Sequence, residues 1–146
     1  MFLGRYQHTI DDKGRLIIPA RFREMLERGA FVTQGFERNL MVLTADAFDQ
    51  LYANVNRMSL TDPSARDLKR FIFSTAERVE VDKIGRILLP QYLRSLAQLE
   101  NEVMLVGVGD TFEIWSPALW AKKNEQLEDL EANEKRFAVF DLSTHD

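Results

Sequence analysis

The sequence predicts an α+β fold in which one small β-rich unit is used twice. Two observations predict it. The segment Asp11-Asp12-Lys13-Gly14-Arg15-Leu16-Ile17-Ile18-Pro19 returns as Asp82-Lys83-Ile84-Gly85-Arg86-Ile87-Leu88-Leu89-Pro90, so Asp-x-x-Gly-Arg, three aliphatics and Pro recur at an offset of 71 positions. Downstream, Gly35 matches Gly107, Leu43 matches Trp115 and Phe48 matches Trp120 at an offset of 72, one residue having been inserted near Glu100-Asn101. Self-similarity of this kind marks one structural unit repeated.

Each element follows from local chemistry. Thr9-Ile10 and Leu16-Ile17-Ile18 read as strands on either side of a tight turn, in which Gly14 and Gly85 supply positive φ. Pro19 and Pro90 end the strand and suit the first turn of a helix. Phe22, Met25 and Leu26 have helical spacing and predict a short helix to about Gly29; Leu93, Leu96 and Leu99 repeat the pattern. Hairpins follow: Phe31-Val32-Thr33 with Leu40-Met41-Val42-Leu43, and Val103-Met104-Leu105-Val106 with Phe112-Glu113-Ile114-Trp115.

Phe48, Leu51, Tyr52, Val55 and Met58 predict a helix after the first hairpin, and Asp62-Pro63 opens another bearing Leu68, Phe71 and Ile72. Ser116-Pro117 is a helix start, with Ser as N-cap and Pro at the first position. Residues 118–135 are helical but sparsely apolar, and 124–134 carry five acids and no bases, a solvated face. A short apolar run, Phe137 to Phe140, precedes the end. Phe22, Phe31, Phe48, Phe71, Trp115 and Trp120 fall at apolar positions and are expected in the core. The expected boundaries are 5–47 and 76–119 for the repeats, 48–75 for connecting helices and 120–146 for a C-terminal helix and tail.

The chain has 146 residues, and a half of about 70 is marginal for a core of its own, so the halves should pack together. There is no cysteine, which excludes disulfides and thiolate metal sites. No apolar run approaches the ~20 residues of a membrane span, and Met-Phe-Leu-Gly-Arg lacks the pattern of a signal peptide, so a cytoplasmic protein is expected. Net charge is −4, unevenly spread: residues 1–94 carry 15 basic and 12 acidic side chains, residues 95–146 carry 4 and 11. That asymmetry points to a basic working surface and an acidic tail.

The Gly-Arg turn carries the chemistry. Asp closes the turn by accepting amide hydrogen bonds, and Gly gives it its backbone angle. Arg15 and Arg86 are expected to point away from the turn into solvent. In a single copy this is a structural turn with a solvated Arg; repetition of the Arg argues for use, because an exposed Arg is readily replaced. A guanidinium fits a phosphate or the O6/N7 edge of guanine. Arg5, Lys13, Arg21, Arg23, Lys83 and Arg94 lie near the turns in sequence and could contact phosphates. Arg21 and Arg23 read more simply as the solvent face of the short helix. Ile84 stands where the first copy has Lys13, so the turns should contribute unequally.

Asp-x-x-Gly-Arg with an aliphatic triplet and Pro resembles the SpoVT-AbrB domain. Two copies in a chain opened by Met-Phe-Leu-Gly-Arg-Tyr resemble the MraZ family of transcriptional regulators of bacterial division and cell-wall gene clusters. The resemblance covers nearly the whole chain. It implies tandem SpoVT-AbrB repeats interlocked as a pseudo-dimeric swapped-hairpin β-barrel with flanking helices. It also implies a ring-shaped homo-oligomer, nucleoid-associated, that binds direct repeats in promoter DNA and acts as a repressor. Carried over by position, Arg15, Arg86, Lys13, Lys83 and Arg5 are the expected DNA contacts, and Asp11, Gly14, Asp82 and Gly85 form the turns. A ring would multiply weak contacts into avidity.

Other classes fare worse. His8 and His145 are the only histidines, His145 sits in a tail expected to be disordered, and there is no nucleophile elbow or phosphate loop. No enzyme activity, cofactor, metal or membrane partner is expected. The alternative reading is an antitoxin-like protein-interaction module using the acidic tail.

Overall fold

The computed structural model describes residues 1–144, and His145 lies outside them. The chain divides into two compact units, Met1–Ser116 and a second beginning at Pro117.

In the first unit the elements run β1 (Arg5–Thr9), β2 (Arg15–Ile17), α1 (Ala20–Arg23), β3 (Ala30–Gln34), β4 (Leu40–Thr44), α2 (Ala45–Asn56), α3 (Pro63–Phe73), β5 (Glu77–Val79), β6 (Arg86–Leu88), α4 (Gln91–Leu96), β7 (Glu102–Gly107) and β8 (Thr111–Trp115). Among the described residues these strands make a six-stranded antiparallel sheet, ordered β1-β7-β8-β4-β3-β5, and a two-stranded ribbon of β2 and β6.

The copies are interleaved. β1 of the first pairs with β7 of the second, and β5 of the second pairs with β3 of the first. β2 pairs with β6, and the central pair of that ladder is Leu16 with Ile87, which are also counterparts in the repeat. A pseudo-twofold therefore runs through this pair. Its symmetry extends into the backbone: the Ile18 amide donates to the Gly85 carbonyl at 2.8 Å, and the Leu89 amide donates to the Gly14 carbonyl at 2.8 Å.

The expected strand, tight turn and strand are present, but the two strands take their main partners elsewhere. The strands on either side of the first turn share one isolated bridge, Ile10 with Leu16, and their ladders run to the other copy, β1 to β7 and β2 to β6. The sheet is not closed either: among the described residues no ladder joins β1 to β5, and no barrel is completed by backbone pairing. α1 is also shorter than expected. It gives way to a 3-10 turn at Glu24–Leu26, and Gly29 ends the segment at φ +98°. Met58 and Leu99 lie past the ends of α2 and α4.

The core fills the space between ribbon and sheet. Leu16, Ile18, Ile87 and Leu89 are buried in it with Phe22, Leu93, Leu105, Phe112 and Ile114. Phe2 joins them with no exposed surface, since its amide and carbonyl bond Gly109 at 2.8 and 3.0 Å. Its ring packs edge-on to Phe22 at 5.1 Å, and Phe22 lies 4.9 Å from Phe112. Each such burial stabilises by roughly 1.5–3 kcal/mol. α2 starts where Thr44 accepts from the Ala47 amide, and α3 where Asp62 accepts from the Ser64 amide with Pro63 at its first position. Phe31 and Phe48 stack at 4.0 Å, fixing α2 on β3.

The second unit holds α5 (Pro117–Leu127) and α6 (Leu130–Phe137). The continuous helix expected over 118–135 is interrupted, because Asp129 turns to cap α6 through the Ala132 amide. Val139, Phe140 and Leu142 beyond it are exposed. Among the described residues no helix is long and apolar enough to cross a membrane.

Candidate nucleic-acid interface

Each turn is built by one carboxylate. Asp11 Oδ1 accepts from the amides of Lys13 and Arg15 at 3.0 and 2.9 Å, while the Gly14 amide donates to the Asp11 carbonyl at 3.0 Å. Asp82 repeats this with Ile84 and Arg86 at 3.1 and 2.8 Å. Only amides are needed, so Lys13 can become Ile84 without altering the turn. Gly14 and Gly85 have φ of +84° and +89°, a region costly for residues with a Cβ.

The second carboxylate oxygen holds the arginine. Arg15 Nε donates to Asp11 Oδ2 at 2.7 Å, and Arg86 Nε donates to Asp82 Oδ2 at 2.8 Å. Here the structure corrects the sequence reading. The arginines do not extend freely into solvent but fold back onto their own turns, so repetition of Arg has a structural cause as well. They are not sequestered: the side chains of Arg15 and Arg86 keep 34% and 24% exposure. The Arg15 and Arg86 amides, then the guanidinium contacts and a second amide, hold the Asp11 and Asp82 carboxyls below the usual aspartate value.

The ribbon alternates. Leu16 and Ile87 face the core, so their neighbours face out. In register, Arg15 stands opposite Leu88 and Ile17 opposite Arg86. The outward face therefore presents two arginines on a diagonal, roughly 7–8 Å apart at the backbone, flanked by exposed Ile17 and Leu88. The turns sit at opposite ends of this strip.

Two further arginines frame it. Arg23 Nε donates to the Ile18 carbonyl at 2.7 Å, and Arg94 Nε donates to the Leu89 carbonyl at 3.0 Å. Each reaches across to the other copy: a Cβ on Gly14 would lie 3.0 Å from the Arg94 guanidinium, and Arg23 occupies the same place against Gly85. Arg23 is therefore half-buried and not simply the solvent face of α1, whereas Arg21 is exposed. A groove of about 550 Å³ between the first copy's short helix and the second turn is lined by Arg23, Glu27, Asp82, Lys83 and Gly85, among others.

Lys13 and Lys83 are exposed on the turns. Arg5 is exposed at the far end of β1, roughly 20 Å along the strand from Asp11. His8 is half-buried on β1; burial, then the charge of Arg23, pushes its pKa down. Among the described residues no group of three His, Asp or Glu is placed to hold a metal ion. The cross-copy role of Arg23 and Arg94 was missed by sequence reasoning, although they too stand 71 positions apart.

The family model described as "MraZ protein, putative antitoxin-like" matches twice, over residues 1–71 and 72–141. The chain is 49% identical over 133 residues to a protein named transcriptional regulator MraZ from Desulfitobacterium hafniense, covering 91% of this chain and 93% of that one. It is 49% identical over 127 residues to the protein of that name from Thermomicrobium roseum, covering 87% and 89%. With that from Moorella thermoacetica it shares 43% over 143 residues, covering 97% and 100%. Matched by its family model from end to end of both repeats, the chain belongs to the MraZ family.

Proposed function

We propose that this protein is a sequence-specific DNA-binding transcriptional regulator, a repressor of a bacterial cell-division and cell-wall gene cluster, acting in the cytoplasm on the nucleoid. The observation that carries this reading is the ribbon face, with four arginines related by a pseudo-twofold and two projecting turns. A two-stranded ribbon fits the major groove, where a guanidinium reads guanine O6 and N7. Arg15 and Arg86 are the base contacts, Arg23, Arg94, Lys13 and Lys83 grip phosphates, and Ile84 makes the second turn the weaker.

One chain offers few such contacts and carries a net charge of −4, so its affinity alone would be low at physiological salt. We infer that copies assemble into a ring in which the interlocked repeats, with their hairpins swapped between copies, engage successive direct repeats of a promoter.

The test is selection of bound duplexes from a random pool, followed by Arg15→Ala on the recovered sequence. The variant should lose about 1–3 kcal/mol of binding with little change in melting temperature. Wild-type affinity at matched salt would remove the assignment. Light scattering should give a mass several times 16.9 kDa; a monomer would remove the ring. Failure to enrich any sequence would instead favour the antitoxin-like reading that the family description carries.

A further inference from the structure

The ribbon face holds two kinds of arginine. Arg23 and Arg94 rest their Nε on neutral backbone carbonyls and form no ion pair among the described residues. Arg15 and Arg86 each carry a carboxylate on the same nitrogen. A guanidinium has five N–H donors. With Nε engaged, the terminal nitrogens keep theirs, and two suffice for a bidentate contact with guanine. The carboxylate is itself fixed, because its other oxygen is tied to two amides of the turn.

We propose that Asp11 and Asp82 are positioning residues that make Arg15 and Arg86 selective for base edges: each carboxylate orients the guanidinium through Nε, and its negative charge penalises docking against phosphate. Two consequences follow from elementary physics. A side chain fixed by a partner loses less rotamer freedom on binding, which favours the one geometry that fits a base pair. A carboxylate close to the backbone of DNA is repelled by every phosphate, whatever the sequence, so its cost falls most heavily on non-specific binding. The unpaired Arg23 and Arg94 carry no such penalty. This inference rests on the proposed DNA-binding reading.

The experiment uses the full chain and two probes, a duplex recovered by selection and a random-sequence duplex of equal length. In the double variant Asp11→Asn/Asp82→Asn, the amide oxygen still accepts from the turn amides, but an NH2 group replaces the oxygen that holds Nε. The ratio of affinities for selected over random duplex should fall at least tenfold, with binding to random duplex unchanged or tighter. An unchanged ratio would overturn the proposal, and it is what a purely turn-forming aspartate predicts, since asparagine keeps the turn. Should the double variant fail to fold, nitrogen-15 NMR of the wild type decides. The Nε–H signals of Arg15 and Arg86 should stay protected from exchange when the selected duplex is added, and loss of protection on binding would sink the idea. Arg15→Ala separates the two levels. Failure to enrich any duplex removes the DNA-binding reading itself, and wild-type affinity of Arg15→Ala removes the base contact, whereas a loss there with an unchanged ratio in the aspartate variant removes only this inference.

Discussion

The guanidinium of Arg23 lies against the α-carbon of Gly85, a residue 62 positions further along the chain. Arg94 and Gly14 repeat the contact with the copies exchanged. Each Gly-Arg turn is thus braced by the copy to which it does not belong. At Gly14 the Leu89 carbonyl is close as well, 2.9 Å from where a Cβ would be.

A double substitution tests that brace. Gly85→Ala should destabilise by about 1–3 kcal/mol in urea unfolding, from positive-φ strain and collision with Arg23. Adding Arg23→Ala should recover part of the loss, so the pair is non-additive. Gly14→Ala should be rescued less by Arg94→Ala, because a backbone carbonyl cannot move aside as a side chain can.

Phe2 should matter more than its position in sequence implies. Its ring is fully buried between Phe22 and Phe112. Phe2→Ala should cost about 3–5 kcal/mol, the range for deleting a buried aromatic ring. A shift in denaturation midpoint near zero would show that the cluster closes without it.

Acid stability should depend on the turns. The Asp11 and Asp82 carboxyls titrate below the ordinary 3.8 when folded. Groups depressed in this way stabilise the fold above the unfolded pKa, and that contribution disappears as pH falls through the folded one. Melting temperature followed from pH 6 downward should drop for the wild type below about pH 4 and drop less for Asp11→Asn/Asp82→Asn. Parallel curves would contradict the assignment.

Alkaline titration has the opposite sign. The Tyr92 hydroxyl donates to Glu77 at 2.7 Å, and desolvation, then that bond and the Glu77 charge, push its pKa up to about 12. Stability from this group is complete below pH 10 and is lost as pH rises towards 12. Absorbance at the phenolate band should show Tyr92 titrating above the ordinary value of 10, and Glu77→Gln should bring it earlier.

The turns were legible in the sequence because their chemistry is local: Asp11 bonds amides two and four residues on, and Gly14 sets one backbone angle. Helix starts were legible for the same reason, as Asp62-Pro63 and Ser116-Pro117 show. Strand partners were not. Both copies present nearly the same pattern, and nothing local says whether β1 takes its own hairpin or the other copy's; nor could three aliphatics in a row tell which face of β2 is buried. The fold of Arg15 onto Asp11 was hidden too, since Arg at that position suits an extended and a folded side chain alike.

The exchange of strands has a consequence for inheritance. A cut between α2 and α3 would leave one fragment whose β1 has lost β7 and another whose β5 has lost β3. The stretch that is copied along the chain is therefore not the stretch that folds. Mutations in either copy are judged against the surface of its sibling, so the two must drift together, like partners in a dimer whose genes have been joined.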